Sequence, residues 1–543
     1  MRRRRLARTA VLAALLAAGV AGGLALPSRA VPSQTTTAPT TTTLASRGVL
    51  VLSGHGWGHG IGMSQWGAYG YAQHGWSFDR ILAHYFPGTT LGQATTRTVR
   101  VLVAQGRQLR LSATAPWRVT DAAGTTLDLD PSQPLDLGPA LTVQDKQLRP
   151  PLTFTSAEPL LVGGTAYRGR VVVAPAGPKT LRAVDVVGLE AYVKGVVPEE
   201  MPSNWAPQAL QAQAVATRSY ALANLVPGAP FDLFADERSQ IYGGAAAEAP
   251  TASAAVDATR GQVVLYRGKV ADTMFFSSSG GRTASAQEAT GRAVPYLLSV
   301  ADPYDTLSPY HDWGPVLLDL ARVAKLLKVP APIDDVEATT GPSGRVVRAT
   351  VIADGESRDF TGAQLRTALG LRSTWFTPAL LELVPPPTPV TYGGAGALGG
   401  FVRGVVGAVS LEARPAGGAW ASAGSLQPGT DGAVVALVHP RVTTDYRLAL
   451  GSVRAGLAHV RVAPLLQVAQ SGRSLSGTIR PVLAGAPVQL QRQDGAVWTL
   501  VASAVTDATG AWSVAAPGPG AYRVRVAPGH GLVPAVSATL QLQ

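Results

Sequence analysis

Short runs of alternating apolar and polar residues occupy residues 97–186. Examples are RTVRVLVA, QLRLSA, YRGRVVVAP and TLRAVDVV, which are separated by Gly, Pro and Asp. A period of two places successive side chains on opposite faces of a strand, so these runs predict antiparallel β-strands joined by turns. The 60 glycines and 41 prolines among 543 residues favour turn-rich β structure in the rest of the chain as well.

Other segments carry the helical period, so the predicted fold class is α+β. Helices are predicted just before Pro87, at 207–225, at 313–328 and in FTGAQLRTALGL. Pro207 suits a first helical turn, and a stripe of apolar and small side chains continues from it to Leu225. Thr361 and Gln364 have the spacing of a capping box, which predicts the start of the last helix.

The first thirty residues are organised like an export signal. Five arginines precede an apolar run from Thr9 to Leu26, and Ser28-Arg29-Ala30 supplies a small-x-small cleavage site. Residues 1–30 are therefore predicted to be a signal peptide, with an uncleaved membrane anchor as the alternative. Residues 31–47, rich in Thr and Pro, are predicted to be a tether.

Charge and cysteine usage narrow the functional class. The net charge of +12 falls to +6 once the six arginines of the predicted signal are removed. That modest excess suits an anionic cell envelope, and without a basic stripe interleaved with aromatics the chain lacks the pattern of a nucleic-acid binder. Because the chain has no cysteine, disulfides, thiol catalysis and thiolate metal ligands are excluded.

An internal repeat follows the proline-rich segment LELVPPPTPVTYGG at 381–394. VSLEARPAGGAW begins at Val409 and VQLQRQDGAVW at Val488, and later positions also match between the two units. Each unit has alternating strands and turn signals, so two small all-β sandwich domains are predicted, at 386–464 and 465–543. A mixed domain with antiparallel strands and a few helices is predicted before them, at 48–385.

Three motifs contain residue types that can carry chemistry. In GHGWGHGIGMSQWGAYG, residues 54–70, His55 and His59 have a spacing that fits zinc on a helix, but Gly-Trp-Gly between them disfavours a helix and no metal site is predicted. SSSGG at 277–281 lacks the strand–elbow–helix context of a serine hydrolase. Glu199 and Glu200 lie between two prolines and are predicted to be in a loop just before a helix, where a carboxylate near Met201 and Trp205 can have a raised pKa and act as a general acid.

These motifs together resemble the SpoIID/LytB family. The segment LEAYVKGVVPEEMPSNWAPQALQAQAVATRSYAL is its most distinctive stretch, and FFSSSGGRT, PYLLSVADPYD, FTGAQLRTALGLRSTWF and the glycine-rich motif match others. The resemblance covers about residues 48–378. Two departures are the position of the Gly-His-Gly motif, which here precedes the domain, and the lack of the cysteines that hold zinc in some members.

The resemblance implies a peptidoglycan lytic transglycosylase in which Glu200, the glutamate before Met-Pro, is the single general acid/base. Such a reaction forms 1,6-anhydro-N-acetylmuramic acid ends and uses no cofactor. The alternatives are a non-catalytic peptidoglycan-binding protein that enhances a cell-wall amidase, and a purely structural envelope protein. The expected location is secreted, in the cell wall or on the extracytoplasmic face of the membrane, with membrane contact only through an uncleaved signal.

The glycine-rich motif is expected to pack against Glu200, to return beside Trp375-Phe376 and to line a groove for a sugar chain. Arg218 is expected either to be a buried structural partner or to contact the lactyl carboxylate of a muramic residue. The full set of predicted substrate-binding residues is Trp57, His59, Ser64, Gln65, Arg218, Tyr220, Ser279, Gly280 and Gly281.

Overall fold

A computed structural model describes residues 41–94, 98–405 and 407–543. The predicted signal peptide and most of the predicted tether lie outside these residues. In the described part of the chain, no helix is both long and apolar enough to cross a membrane. The described chain contains helices and mostly antiparallel sheets, in agreement with the predicted α+β class.

The helices cluster in the first two thirds of the described chain. They are α1 (Gln65–Gln73), α2 (Phe78–Tyr85), α3 (Leu189–Glu200), α4 (Pro207–Ala223), α5 (Pro250–Ala258), α6 (Ala286–Thr290), α7 (Leu320–Leu327) and α8 (Gly362–Leu369). The predicted helices before Pro87 and from Pro207 are confirmed as α2 and α4, and the capping box of Thr361 and Gln364 is present at α8.

A seven-stranded sheet and a four-stranded sheet form most of the region 98–234. In spatial order the larger sheet contains Leu233–Phe234, Thr98–Gly106, Thr180–Gly188, Arg170–Gly177, Leu152–Ser156, Trp117–Thr120 and Thr126–Leu129. The smaller contains Thr165–Tyr167, Leu160–Val162, Leu109–Ala113 and Leu135–Leu137. These sheets and helices α1 to α5 enclose the first core, in which α4 is almost wholly buried.

A five-stranded sheet, here the central sheet, joins distant parts of the chain. Its strands are Asp312–Asp319, Gly48–His55, Phe376–Val384, Gly396–Arg403 and Ala433–Val438. The run GVLVL at 48–52 is buried at every position because both faces of this sheet are covered. Val49 and Val51 enter a second core, whereas Leu50 and Leu52 enter a third.

Each of these two cores has its own second layer. The second core is closed by a sheet of Thr42–Thr43, Val453–Val460, Thr444–Leu450, Val409–Pro415 and Ala421–Leu426. The third is closed by α7, α8 and the meander Ile333–Thr340, Val346–Ala353 and Glu356–Phe360. Since strands on both sides of residue 385 share the central sheet and the second core, the structure does not separate the chain at that predicted boundary.

The last part of the chain has a fourth core between two sheets. One consists of Leu465–Ser471, Ser474–Arg480 and Ala511–Ala515, and the other of Val497–Val505, Pro487–Asp494, Gly520–Val526, Ala535–Val536 and Leu540–Leu542. The two units of the predicted repeat have the same strand pairing. In the first unit the strand that begins at Val409 pairs with the strand carrying Tyr446, and in the second the strand that contains Val488 pairs with the strand carrying Tyr522.

Shorter pairings complete the described structure. They are Lys269–Val270 with Gln262–Tyr266 and Thr90–Gln93, Phe275–Phe276 with Met63–Ser64, Thr142–Val143 with Lys146–Gln147, and Val390–Thr391 with Val462–Ala463.

Two predicted elements differ in the structure. Residues 313–328, predicted as one helix, form most of strand Asp312–Asp319 followed by α7. The first half is a strand because it pairs with Gly48–His55. The helix begins after Asp319, which caps it by accepting a hydrogen bond from Arg322 N. The segment LELV, predicted as part of a linker, is the end of strand Phe376–Val384 in the central sheet.

Candidate functional site

The buried Asp305 links the glycine-rich motif at 54–70 to the segment SSSGG at 277–281. Asp305 is fully buried and accepts hydrogen bonds on both carboxylate oxygens. Oδ1 accepts from Ser64 Oγ (2.9 Å) and Ser279 N (2.8 Å), and Oδ2 accepts from Ser278 Oγ and Gly280 N, both at 2.8 Å. A buried carboxylate is stable when its oxygens are this fully satisfied, so Asp305 fixes the glycine-rich motif against SSSGG.

The glycines of the motif are required because its backbone passes close to other backbone. Gly62 has φ +79°, and a Cβ placed there would lie 2.1 Å from Met274 O. Gly280 has φ +71°, and its Cβ would lie 2.7 Å from Gly56 N. The motif also returns beside Trp375-Phe376 as predicted, since His55 N donates to Trp375 O at 2.9 Å.

Replacing Gly62 with Ala is expected to destabilise the protein by more than 2 kcal/mol, since left-handed backbone alone costs an L-residue roughly 1–2 kcal/mol and the Cβ would also overlap a carbonyl oxygen. Gly75→Ala is the matched control, because Gly75 has a similar φ of +77° but open space around its Cβ. Urea unfolding followed by tryptophan fluorescence compares the two variants. Equal losses would contradict the steric explanation.

Glu200 is the last residue of α3, so the prediction that it lies in a loop before a helix is wrong. The helix continues through Pro198 because Tyr192, Val193, Val196 and Val197 anchor it in the first core. Gln65 Nε2 donates to Glu200 Oε2 at 3.2 Å, and Ile241 N donates to Oε1 at the same distance. The glycine-rich motif therefore does pack against Glu200, through the first residue of α1.

The surroundings of Glu200 favour its protonated form. Burial raises the pKa of the Glu200 carboxyl above its usual range, and the nearby Glu199 and Glu237 charges act in the same direction. The hydrogen bonds from Ile241 N and Gln65 oppose this shift without cancelling it. A carboxyl group with a raised pKa keeps its proton to a higher pH than an ordinary glutamate does, which suits the role of a general acid.

Glu200 opens onto a groove of about 1580 Å³. The predicted residues Trp57, His59 and Gln65 line this groove together with Glu200. Trp57 is 37% exposed and lines the groove. Its ring packs edge-on against Tyr310, with centroids 4.4 Å apart, and the Arg372 guanidinium lies 4.7 Å from its centroid, so only part of the ring is open to a ligand.

His59 lines the groove, but both of its ring nitrogens are occupied by backbone. Nδ1 accepts from Ile61 N at 3.1 Å, which places the proton on Nε2, and Nε2 donates to Phe275 O at 2.9 Å. Burial lowers the pKa of His59 to about 4, so the ring is neutral at physiological pH. The predicted hydrogen bond from His59 to a sugar has no free nitrogen in this geometry, and His59 instead fixes the loop.

Several other predicted binding residues lie behind the groove wall. Ser64 and Ser279 are fully buried in the Asp305 network, and Gly280 donates its N–H to the same carboxylate. Gly281 N donates to Ser279 Oγ at 3.0 Å. These residues shape the loops that carry the site and do not line the groove itself.

Neither Arg218 nor Tyr220 lines the groove, and for Arg218 this agrees with one of the two roles expected for it. Arg218 is fully buried and forms a two-pronged ion pair with Glu190, through Nε at 3.0 Å and Nη2 at 2.8 Å. Arg218 is thus a buried structural partner, which was one of the two alternatives that the sequence left open. Tyr220 is half-buried against Phe275 behind the groove, where burial and the charges of Asp272 and Glu200 raise the pKa of its hydroxyl.

The groove also contains charged residues that the sequence did not single out. Asp272 accepts from Asn224 Nδ2 at 3.3 Å, and burial raises the pKa of the Asp272 carboxyl. Glu237 lies at the exposed rim and Arg366 comes from α8. Glu237 lies outside the quoted motifs, and Arg366 lies within FTGAQLRTALGLRSTWF but was not singled out there. The tertiary structure identifies both as groove residues.

Comparison with known proteins finds relatives of the segment that contains Glu200. Residues 178–266, which include α3 and α4, match the SpoIID family, described as "Stage II sporulation protein". The chain is 29% identical over 241 residues to Stage II sporulation protein D of Bacillus subtilis, covering 41% of this chain and 70% of that protein. These matches show that this segment of the chain is similar to the SpoIID family.

Two further relatives share shorter stretches. An uncharacterized protein of Brachyspira hyodysenteriae is 38% identical over 149 residues, which are 27% of this chain and 40% of that protein. The Amidase enhancer of Bacillus subtilis is 38% identical over 113 residues, which are 21% of this chain and 15% of the relative. The chain therefore spans less than half of the length of either of these two curated relatives.

Proposed function

We propose that this protein is an exported lytic transglycosylase that cleaves the glycan strands of peptidoglycan, with Glu200 as the single general acid/base. The observation that carries the proposal is the position of Glu200, which lines a groove of about 1580 Å³ while burial raises the pKa of its carboxyl above the usual range. An open groove with an exposed aromatic ring suits an extended sugar chain, since Trp57 can stack on a sugar face.

The reaction needs one carboxyl group. Protonated Glu200 donates to the glycosidic oxygen after N-acetylmuramic acid, and the C1–O bond breaks. The Glu200 carboxylate then takes the proton of the C6 hydroxyl of the same sugar, whose oxygen bonds to C1 and closes the 1,6-anhydro ring. Glu200 ends protonated again, and no water is consumed, so the second carboxylate that activates water in hydrolytic glycosidases is not required.

Gln65 is proposed to position Glu200 for both steps. Its side chain is almost fully buried and its amide donates to one carboxylate oxygen, which limits rotation of the Glu200 side chain. The same hydrogen bond favours the ionised form that exists between the two proton transfers.

The names of the relatives support a role in the cell wall, outside the cytoplasm. Two of the relatives are named Stage II sporulation protein D and Amidase enhancer. The segment that matches the SpoIID family, residues 178–266, contains Glu200. We propose that the second C-terminal repeat, at 465–543, is a β-sandwich module that acts as a spacer or binds the envelope, since it has its own core. The first repeat, at 386–464, shares the central sheet and the second core with earlier strands.

The alternative is a non-catalytic peptidoglycan-binding protein that enhances a cell-wall amidase, and the likeness to the Amidase enhancer favours it specifically. The two functions differ in whether the protein acts alone. Purified, dye-labelled cell walls are incubated with the protein, with an amidase, and with both. Soluble glycan released by the protein alone supports the transglycosylase; release only in the presence of the amidase, at a rate above that of the amidase, supports the enhancer.

Removing the Gln65 hydrogen bond is expected to extend activity to higher pH. Cleavage requires protonated Glu200, so the rate falls as pH rises through the Glu200 pKa. Because Gln65 lowers that pKa, Gln65→Leu raises it and moves the falling limb of the pH–rate profile upward. Gln73→Leu, on the exposed end of the same helix, is the control. An unchanged falling limb in Gln65→Leu would show that the hydrogen bond does not act on Glu200.

A further inference from the structure

One arginine reaches the groove from a different wall than Glu200. Arg366 lies on α8, whose Leu365 and Leu369 are buried in the third core, whereas Glu200 ends a helix packed in the first core. The capping box of Thr361 fixes the start of α8, so the backbone under Arg366 is rigid. The groove therefore lies between two separately built layers, and Arg366 projects from the second of them.

The Arg366 guanidinium keeps most of its hydrogen-bonding capacity unused. Its Nε donates to Arg372 O at 3.2 Å. Within the described parts of the chain, its Nη1 and Nη2 make no protein hydrogen bond and no acidic side chain forms an ion pair with it. A guanidinium presents its donors in a planar fork, so the free edge of Arg366 is suited to a planar two-oxygen acceptor.

The charge of Arg366 is also poorly compensated. Burial lowers the pKa of the guanidinium, and the opposing charge comes from Glu237 at the rim, beyond ion-pair distance. A cation that has lost water without gaining an ionic partner is stabilised by any anion that enters the groove. Arg218, the arginine that the sequence suggested for such a role, is already neutralised by Glu190.

We propose that Arg366 binds a carboxylate carried by the glycan strand and thereby selects an anionic sugar in the groove beside Glu200. This inference rests on the proposed function. In peptidoglycan the carboxylate is either the lactyl group of a muramic residue that has lost its stem peptide, or a carboxylate of a retained stem peptide. Both are the same acceptor chemistry, and a bidentate contact with the Arg366 fork recognises either.

The test measures binding without turnover. The full chain carrying Glu200→Gln is titrated by calorimetry with three ligands: glycan strands stripped of stem peptides, glycan strands that retain them, and a chito-oligosaccharide, which has no carboxylate. Adding Arg366→Gln is expected to weaken binding of a carboxylate-bearing strand by about tenfold or more, the size of a charge-assisted hydrogen bond, and to leave chito-oligosaccharide binding unchanged. Arg322→Gln, an exposed arginine on α7, is the matched control.

The outcomes distinguish the two sources of the carboxylate, and they separate the role of Arg366 from the proposed function. A loss confined to stripped strands identifies the lactyl carboxylate, and a loss confined to peptide-bearing strands identifies the stem peptide. Equal weakening for all three ligands, or none for any, overturns the role of Arg366 while leaving glycan binding intact. If the Glu200→Gln protein binds no ligand at all, the proposed function fails as well.

Discussion

Replacing Glu200 with Gln is expected to lower the rate of glycan cleavage by about 10²- to 10⁴-fold, the usual contribution of a general acid/base. Gln has nearly the same shape but no proton to donate to the glycosidic oxygen. Glycan binding is expected to persist, because the oxygen of the new amide can accept from Ile241 N while its NH₂ faces Gln65, whose side-chain amide can turn to offer its oxygen. The measurement is the initial rate of soluble glycan release from labelled cell walls, alongside pelleting of the protein with the walls.

The neighbouring acid provides the control for this experiment. Glu199→Gln removes a carboxylate of the same type, one residue earlier, whose side chain is exposed. It is expected to keep cleavage within a few-fold of the wild type, since Glu199 does not line the groove. Equal losses in the two variants would show that the effect is electrostatic or structural and does not arise from proton donation by Glu200.

Replacing Asp305 with Asn is expected to loosen the two loops that carry the site. Each carboxylate oxygen of Asp305 accepts at least one backbone or side-chain donor, so either orientation of the amide places its NH₂ against donors. A buried donor left without an acceptor costs about 1–3 kcal/mol, and at least two are affected here. The expected loss is therefore several kcal/mol, concentrated between the glycine-rich motif and SSSGG.

Hydrogen exchange localises this effect. The amides of Ser279 and Gly280, which donate to Asp305, are expected to exchange much faster in Asp305→Asn, with a lower melting temperature and weaker glycan binding. Asp128→Asn, an exposed acid in the seven-stranded sheet, serves as control. Unchanged protection of both amides in Asp305→Asn would contradict the structural role of this carboxylate.

Local signals in the sequence were sufficient for much of the fold. The period of two at 98–188 and the stripe that begins at Pro207 each predicted the observed element, because both reflect the side that faces the first core. The capping box at Thr361 located α8. At 312–327 the apolar run LLDLARVAKLL hid a change from strand to helix, which the N-cap residue Asp319 marks.

Tertiary contacts decided what local signals could not. Pro198 favours a break in the helix, yet α3 continues to Glu200 because its apolar face is buried in the first core. Arg218 pairs with Glu190, which lies 28 residues earlier on a different helix, so no spacing revealed it. Asp305 likewise meets Ser64 across 241 residues of chain.

The candidate site was only partly predictable from the sequence, because tertiary contacts decide which side chains of a motif face the groove. Glu200 and Gln65 belong to motifs whose resemblance to a known family indicated that they lie together. In the structure Gln65 Nε2 lies 3.2 Å from Glu200 Oε2. Ser64 and His59 belong to the same motif, but their polar atoms bond to Asp305 and to backbone and not to the groove. Which side of a loop faces a ligand depends on the packing behind it.

The most direct test of the central claim is mass spectrometry of the sugars released from purified peptidoglycan, intact and amidase-treated, by the full chain. The account predicts products that end in 1,6-anhydro-N-acetylmuramic acid, formed by the wild type and absent with Glu200→Gln. Products with reducing ends would contradict it, because they require water as the nucleophile. Absence of any released sugar from both substrates would contradict the enzymatic proposal altogether and leave the amidase-enhancing alternative.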